Sequence, residues 1–436
     1  MNTRKLLLLM LLFCSVGALY AQEFSNKGKE FWIAYPSHVD GSIGPMSSVM
    51  GLYITSDVNT SGVVQIGSSP SINFTVTANQ ITKLFLGSVG VVDGPNTPIY
   101  LDMADGVKTN AAVKITSLQP VVVYSHIIQT ARSGATLVLP TPVLGNEYIV
   151  PSYPTPSSVN NGARNNGTIS GVGEIAVIAT QANTTLEITP TVNGLGGKTA
   201  GVPFTVTLTN PGDCYQFQGA RYGDLSGTKV RSVSSGNQGC KPIAVFSATS
   251  WSAFGCTSNI NSGDNLYQQL FPVRAWGKNF LTAPALTRAY DIFRVFVSDP
   301  STVVKKTENG VTTTLTNLIN NSFYEYQTGV PTYIQTDKPS SVVQYFTTQA
   351  CTPGATDGDP EMVVLNPVEQ TINNITVFSA HENWVPLNQS DVRKCYLNII
   401  IPTGAKSSFK INGNSPVGNF VAIPGTSFSV LQEDVT

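Results

Sequence analysis

Cysteines, acidic clusters and tryptophans are the side chains of this sequence with the chemistry to build a site. Cys214, Cys240, Cys256, Cys351 and Cys395 follow Cys14, which lies in an apolar N-terminal run. No two of them have the CxxC spacing of a zinc site and none has a histidine nearby, so disulfides are the expected chemistry in an exported chain. Cys214 and Cys240 flank a hairpin-like stretch and are the first predicted pair. Cys256 with Cys351 is the second, and Cys395 is left over. Asp357, Asp359 and Glu361 make a dense acidic turn after Cys351. Calcium is the candidate ligand there, with an ordinary solvated turn as the alternative. A second calcium-like run, Asp57 to Gly62, carries Ser68 where the loop's glutamate belongs and reads instead as a hairpin turn. Trp32 and Trp276 recur at matching places and read as core. Trp251 and Trp384 fall in less regular segments and are the candidate ligand-stacking aromatics.

Catalytic patterns are missing. His38, His126 and His381 are scattered, and there is no GxSxG, HExxH or phosphate-binding glycine loop. A catalytic triad is defined by geometry, so spacing alone does not forbid one. His126 follows a strand and reads as structural or surface. A glycan hydrolase would need two carboxylates roughly 5–10 Å apart, and no convergent acidic pair is visible. The expectation is a protein without catalytic activity and without a resident cofactor, calcium aside.

The elements that position these residues are strands. The chain has 436 residues, a net charge of −1 and only 12% charged residues. That balance argues against a nucleic-acid surface or polybasic membrane patch. Residues 1–21 read as a secretory signal: Arg4 and Lys5, an apolar run, then Ala18-Leu19-Tyr20-Ala21. A lipid-attachment reading at Cys14 is weaker, because Phe13 stands where a small residue is expected. No later run has the ~18–20 apolar residues of a membrane span. The expected location is secreted or at the cell surface.

An internal repeat organises the remainder. A Gly–aromatic opener recurs as Gly28-Lys29-Glu30-Phe31-Trp32, Gly145-Asn146-Glu147-Tyr148 and Gly277-Lys278-Asn279-Phe280. Two hairpin-like pairs of β-rich runs follow each: 52–55 with 62–66 and 72–77 with 82–86, 175–180 with 185–189 and 203–209 with 214–217, then 292–298 with 302–305 and 311–316 with 322–326. Next comes a strand led by Pro120, Pro242 or Pro339, proline being tolerated at a strand's start. A glycine-led segment at 134–143, 263–273 or 358–368 closes each copy. The spacing of about 117 and 132 residues between openers suits whole domains rather than solenoid repeats. The expected class is all-β, in tandem β-sandwich-like units: 22–144, 145–276, 277–370 and a partial fourth at 371–436. The fourth stops before its proline-led strand, which reads as a cut edge.

Four segments carry a family resemblance: Gly28 to Trp32, Asp224-Leu225-Ser226-Gly227-Thr228, Lys241-Pro242-Ile243-Ala244-Val245-Phe246-Ser247, and Asp264-Asn265-Leu266-Tyr267-Gln268-Gln269-Leu270 with Pro272 and Trp276-Gly277. Over most of its length the chain resembles the IgGFc-binding protein N-terminal domain family. The family's mucus-associated animal members and its bacterial members, largely from Bacteroidota, imply an adhesive extracellular role with no catalytic residues to carry over. Gly263 stands where animal members often have a cysteine, so the family's disulfide pattern does not transfer. The expected function is recognition of an extracellular glycoprotein or glycan, through loops such as 157–173. A spacer of a larger envelope protein is the alternative and a glycan-active hydrolase the last choice.

Overall fold

The computed structural model describes residues 25–37, 49–86, 99–101, 103–129, 132–154, 171–234, 239–256, 263–355, 358–372, 375 and 395–435. The secretory-signal reading of residues 1–21 falls outside them. Nearly all regular structure is strand. The first set is β1 (Gly28–Ile33), β2 (Val49–Thr55), β3 (Thr60–Ile66), β4 (Ile72–Val76), β5 (Ile81–Phe85), β6 (Asp105–Lys108), β7 (Val113–Gln129) and β8 (Arg132–Val138). β7 organises it. Its first half pairs with β1 and β3, and its second half with β2 and β8, so one 17-residue strand belongs to both layers of a sandwich. Phe31, Ile33, Leu52, Ile54, Val64, Phe74, Ile115 and Val123 fill the space between the layers.

Two expectations are corrected here. The runs expected to form hairpins are strands, but the expected partners do not pair with each other. β2 pairs with β5, and β3 with β4. The polar connections from β2 to β3 and from β4 to β5 cross the roughly 10 Å between layers instead of folding back within one. Alternating patterns fix which face of a strand is buried, and both arrangements bury the same face. Pro120 and Pro339 also lie in mid-strand rather than at its start. They mark the stretch where the long strand passes from one layer to the other. Proline's missing N–H removes no ladder bond there, since the register lapses between Ser117 and Val121.

The second set is β9 (Glu147–Ile149), β10 (Gly173–Ala179), β11 (Thr184–Thr189), β12 (Phe204–Leu208), β13 (Cys214–Gln218), β14 (Lys229–Val233), β15 (Ile243–Ser252) and β16 (Asp264–Gln269). Here the long strand is split. β14 serves the sheet β12-β11-β14-β9, and β15 the sheet β16-β15-β10-β13-β6. The third set is β17 (Gly277–Thr282), β18 (Asp291–Val297), β19 (Val304–Glu308), β20 (Val311–Thr314), β21 (Phe323–Thr328), β22 (Thr332–Phe346) and β23 (Glu361–Leu365). Its order, β20-β19-β22-β18-β21 with β17 and β23 also on β22, is that of the first set strand for strand. β24 (Tyr396–Pro402), β25 (Val421–Ala422) and β26 (Phe428–Asp434) form a last, smaller sheet.

The sets share cores. Ala176, Ile178, Ala244, Phe246 and Tyr267 of the second pack into the core of the first, and β6 completes a second-set sheet. Ile149, Phe254 and Leu266 join Ile292, Phe296, Val343 and Tyr345 of the third. The recurring openers have a common cause. A Cβ on Gly28, Gly145 or Gly277 would lie 2.2, 2.5 or 2.2 Å from the Cβ of Pro140, Pro272 or Pro367. Each proline precedes a single 3-10 turn that closes its own set.

Candidate functional site

The distinctive segment Asp224 to Thr228 has its explanation at the seam between the second and third sets. Arg294, in the middle of β18, is nearly fully buried there. Its Nη1 donates to Ser152 O (2.7 Å), Asp224 Oδ2 (2.8 Å) and Ser226 Oγ (2.6 Å), while Nε donates to Glu325 Oε2 (2.7 Å). The guanidinium also lies 4.3 Å from the ring of Tyr153, 4.5 Å from Phe323 and 5.5 Å from Tyr345. Burial alone opposes its charge; Asp224 foremost, then Tyr345 and Glu325, reverse this and leave the group above its ordinary range. Beside it a groove of about 420 Å³ opens, lined by Tyr153, Phe254, Ile292, Glu325, Tyr326 and Gln327 among others.

Cys256 lines the same groove and pairs with Cys351, with Cα atoms 5.4 Å apart, so a disulfide spans the seam. The expected Cys214–Cys240 pair is not formed. Cys214 opens β13 and turns its thiol into the core shared by the first two sets, whereas Cys240 is exposed ahead of β15. Burial pushes the Cys214 thiol up, and Asp213 adds to that, so it stays protonated. Cys395 is also buried and outside any disulfide.

Further along the seam an acidic cluster forms that sequence spacing does not reveal. Asp264 begins β16, and Oδ1 accepts the backbone N–H groups of Ser133 (2.6 Å) and Asn265 (2.8 Å). Burial holds its carboxyl well above the usual range, and neighbouring Asp359 and Glu361 push it further. Burial likewise takes Glu361 up to about 8, although it accepts the Met362 N–H at 2.8 Å. The predicted calcium residues Asp359 and Glu361 therefore lie close enough for their charges to act on Asp264, from more than ninety positions earlier. Asp357 lies outside the described residues. Among the described residues, no three His, Cys, Asp or Glu side chains form a group suited to a metal ion.

The remaining candidates are separate from the seam groove. Trp251 stands at the end of β15 with its ring over Gly263, whose Cβ would lie 2.4 Å away. Trp32 is core, as expected, with Lys114 Nζ 4.8 Å from its ring. Asp57 stands in the turn between β2 and β3 and pairs with Lys27 at 3.1 Å. His126 is buried in β7, its ring centroid 6.0 Å from that of Tyr53. Trp384, His38 and His381 lie outside the described residues. Arg294 escaped sequence reasoning because an arginine in an apolar strand carries no motif. The usable signal was its position opposite Glu325 combined with a polar segment, Asp224 to Thr228, that no strand pattern explained.

Sheets welded through common cores, with a disulfide across one seam, define an all-β protein of sandwich-like units. The IgGFc binding protein family model matches residues 134–436, more than half of the chain, and the chain belongs to that family. No curated protein and no solved structure matches it. The family supports a binding role at the level of class. Among the described residues no helix is long and apolar enough to cross a membrane.

Proposed function

We propose that this is a secreted or surface-held binding protein that recognises an extracellular glycoprotein or glycan, and that the groove beside Arg294 is its contact site. The observation that carries the reading is that groove. Half-buried Tyr153 offers aromatic surface on which a sugar ring stacks, with the Glu325 carboxylate and Gln327 amide on the facing strand. Its walls come from two sets of sheets held by Arg294 and by the Cys256–Cys351 disulfide, so the shape is organised before any ligand arrives. The units 22–144, 145–276, 277–370 and 371–436 are proposed as copies of one module, supported by the strand order common to the first and third sets. The spacer reading draws on the continuous cores between sets, which suit a stiff arm.

Glycan and glycoprotein arrays probed with the mature protein test the proposal. Exposed Gln327 changed to Trp fills the groove without touching Arg294. Binding should fall about tenfold or more, equivalent to ~1.4 kcal/mol, with the melting temperature unchanged. A wild-type protein that binds nothing on either array would leave the spacer role in place of this one.

A further inference from the structure

We propose that the groove beside Arg294 takes its ligand by a primary ammonium group seated on the Glu325 carboxylate, with the carbon skeleton that carries it lying along Tyr153 and the disulfide. This rests on that groove being the contact site, and adds the charge and shape of the group it selects. Among the described residues lining the groove, Glu325 is the one charged side chain. Half-buried Tyr153 and Cys256 supply the apolar side, with Phe254 and Ile292 buried behind them.

The carboxylate is only half used. Arg294 Nε donates to Oε2, and among the described residues nothing bonds Oε1. Arg294 meanwhile divides one positive charge between two carboxylates, Asp224 through Nη1 at 2.8 Å and Glu325 through Nε at 2.7 Å. The seam therefore carries one negative charge in excess, and Glu325, exposed on β21, is where that charge reaches the groove. Arg294 is not free to turn toward it. Ser152 O and Ser226 Oγ also take Nη1, and the rings of Tyr153 and Phe323 flank the guanidinium at 4.3 and 4.5 Å. Lys306 does not answer it either, since its ammonium pairs with Glu308 and lies 5.0 Å from the Tyr326 ring.

A fixed excess charge beside an aromatic ring selects by charge. An anionic group is repelled there, and a neutral hydroxyl gains an ordinary hydrogen bond. An ammonium gains a charge-assisted one while the CH groups next to it cover Tyr153 and the disulfide. Gln327, two residues along the strand and on the same face as Glu325, adds an amide carbonyl for a second ammonium proton. Two carriers share this chemistry: a hexosamine without its N-acetyl group, and a lysine of the polypeptide in a glycoprotein.

The probes are a β-1,4-linked glucosamine hexamer, its fully N-acetylated counterpart and pentalysine, with binding to the protein measured by calorimetry at pH 6 and low salt. At least one ammonium ligand should bind about tenfold or more tightly than the N-acetylated hexamer, and which one does so identifies the carrier. Glu325→Gln keeps an acceptor for Arg294 Nε but removes the charge, and should bring the ligands within about twofold of one another. Gln327→Trp fills the groove and should remove binding of all three. Equal binding of the two hexamers by the wild type, lost in Gln327→Trp, would leave the groove as the contact site and overturn the ammonium proposal. A preference that survives Glu325→Gln overturns it as well. Binding that survives Gln327→Trp, or no binding of any probe, overturns it together with the groove.

Discussion

His126 and Arg294 are both buried and ionisable, and the structure treats their charges in opposite ways. His126 Nδ1 has no hydrogen-bond partner among the described residues, and burial lowers the ring's pKa to about 4. The native protein thus holds it neutral, while the unfolded chain takes up a proton below about 6.5. Stability from this group is present above the unfolded value and is lost as pH falls from about 6.5 toward 4. His126→Gln should remove that acid loss, so that urea unfolding at pH 7 and pH 4.5 differs by up to about 3 kcal/mol less than in the wild type. An equal difference in both would assign the acid sensitivity elsewhere. Buried Glu174 has the opposite sign: its carboxyl is held well above the usual range by burial, and it weakens the fold as pH rises. Arg294 keeps its charge because Asp224 and Glu325 answer it. Arg294→Ala leaves the partly exposed Asp224 and Glu325 carboxylates and the Ser152 carbonyl without their donor and should lower stability by about 1–3 kcal/mol in denaturant unfolding. Arg294→Lys should restore less than half, since one ammonium cannot serve Ser152 O, Ser226, Asp224 and Glu325 from the positions of Nη1 and Nε. Neither residue was legible beforehand. His126 read as a structural or surface histidine after a strand, with burial left open, and Arg294 gave no signal, because burial and partners are set by segments far away in sequence.

At the scale of elements, strand identity was legible and strand pairing was not. The β-branched and aromatic composition of residues 52–55 or 292–298 reports a strand, and β2 and β18 form there, buried on both faces. It carries no information about which neighbour takes the edge, so runs that look like hairpins connect layers instead. The Gly openers and closing prolines were visible as a recurrence. Their meaning is a contact, the close approach of each glycine to its own proline. Gly145 shows the requirement most fully, because its N–H also donates to Tyr148 Oη at 3.0 Å, and that hydroxyl donates to Ile243 O at 2.7 Å. A Cβ at Gly145 pushes β9 away from Pro272 and loosens this bridge. Gly145→Ala should cost about 1–3 kcal/mol, and adding Pro272→Ala should recover a good part of it. Equal losses in the single and double variants, read from denaturant midpoints, would mean that the proline is not what the glycine accommodates. Of the two disulfides expected, the one formed joins residues just beyond β15 and β22, whose ends meet at a seam. The absent one joined residues that look close only along the chain.

For the molecule as a whole, the shared cores decide how it unfolds. The core of the first set includes residues of β10, β13, β15 and β16, and Phe254 and Leu266 lie in the cluster that holds Ile292 and Tyr345. No set can open without exposing the apolar surface of its neighbour, so the first three sets should melt together although each is the size of a domain. The last sheet is different, because its contact with the third set rests on a small cluster around Leu281, Ala283, Ile423 and Val430. Scanning calorimetry of the protein should therefore show one main transition, with van't Hoff and calorimetric enthalpies in agreement, and a minor event at lower temperature from residues 395–435. The Cys256–Cys351 bond closes a loop of 95 residues across the second seam. Changing both cysteines to serine should lower stability by about 2–5 kcal/mol. The apolar cluster at that seam survives the change, so the main transition should move to lower temperature without dividing. Two separate transitions in that variant, one for each side of the seam, would show that the disulfide rather than the packing unites the second and third sets. The groove beside Arg294 would then owe its shape to the disulfide, and reduction alone would abolish binding there.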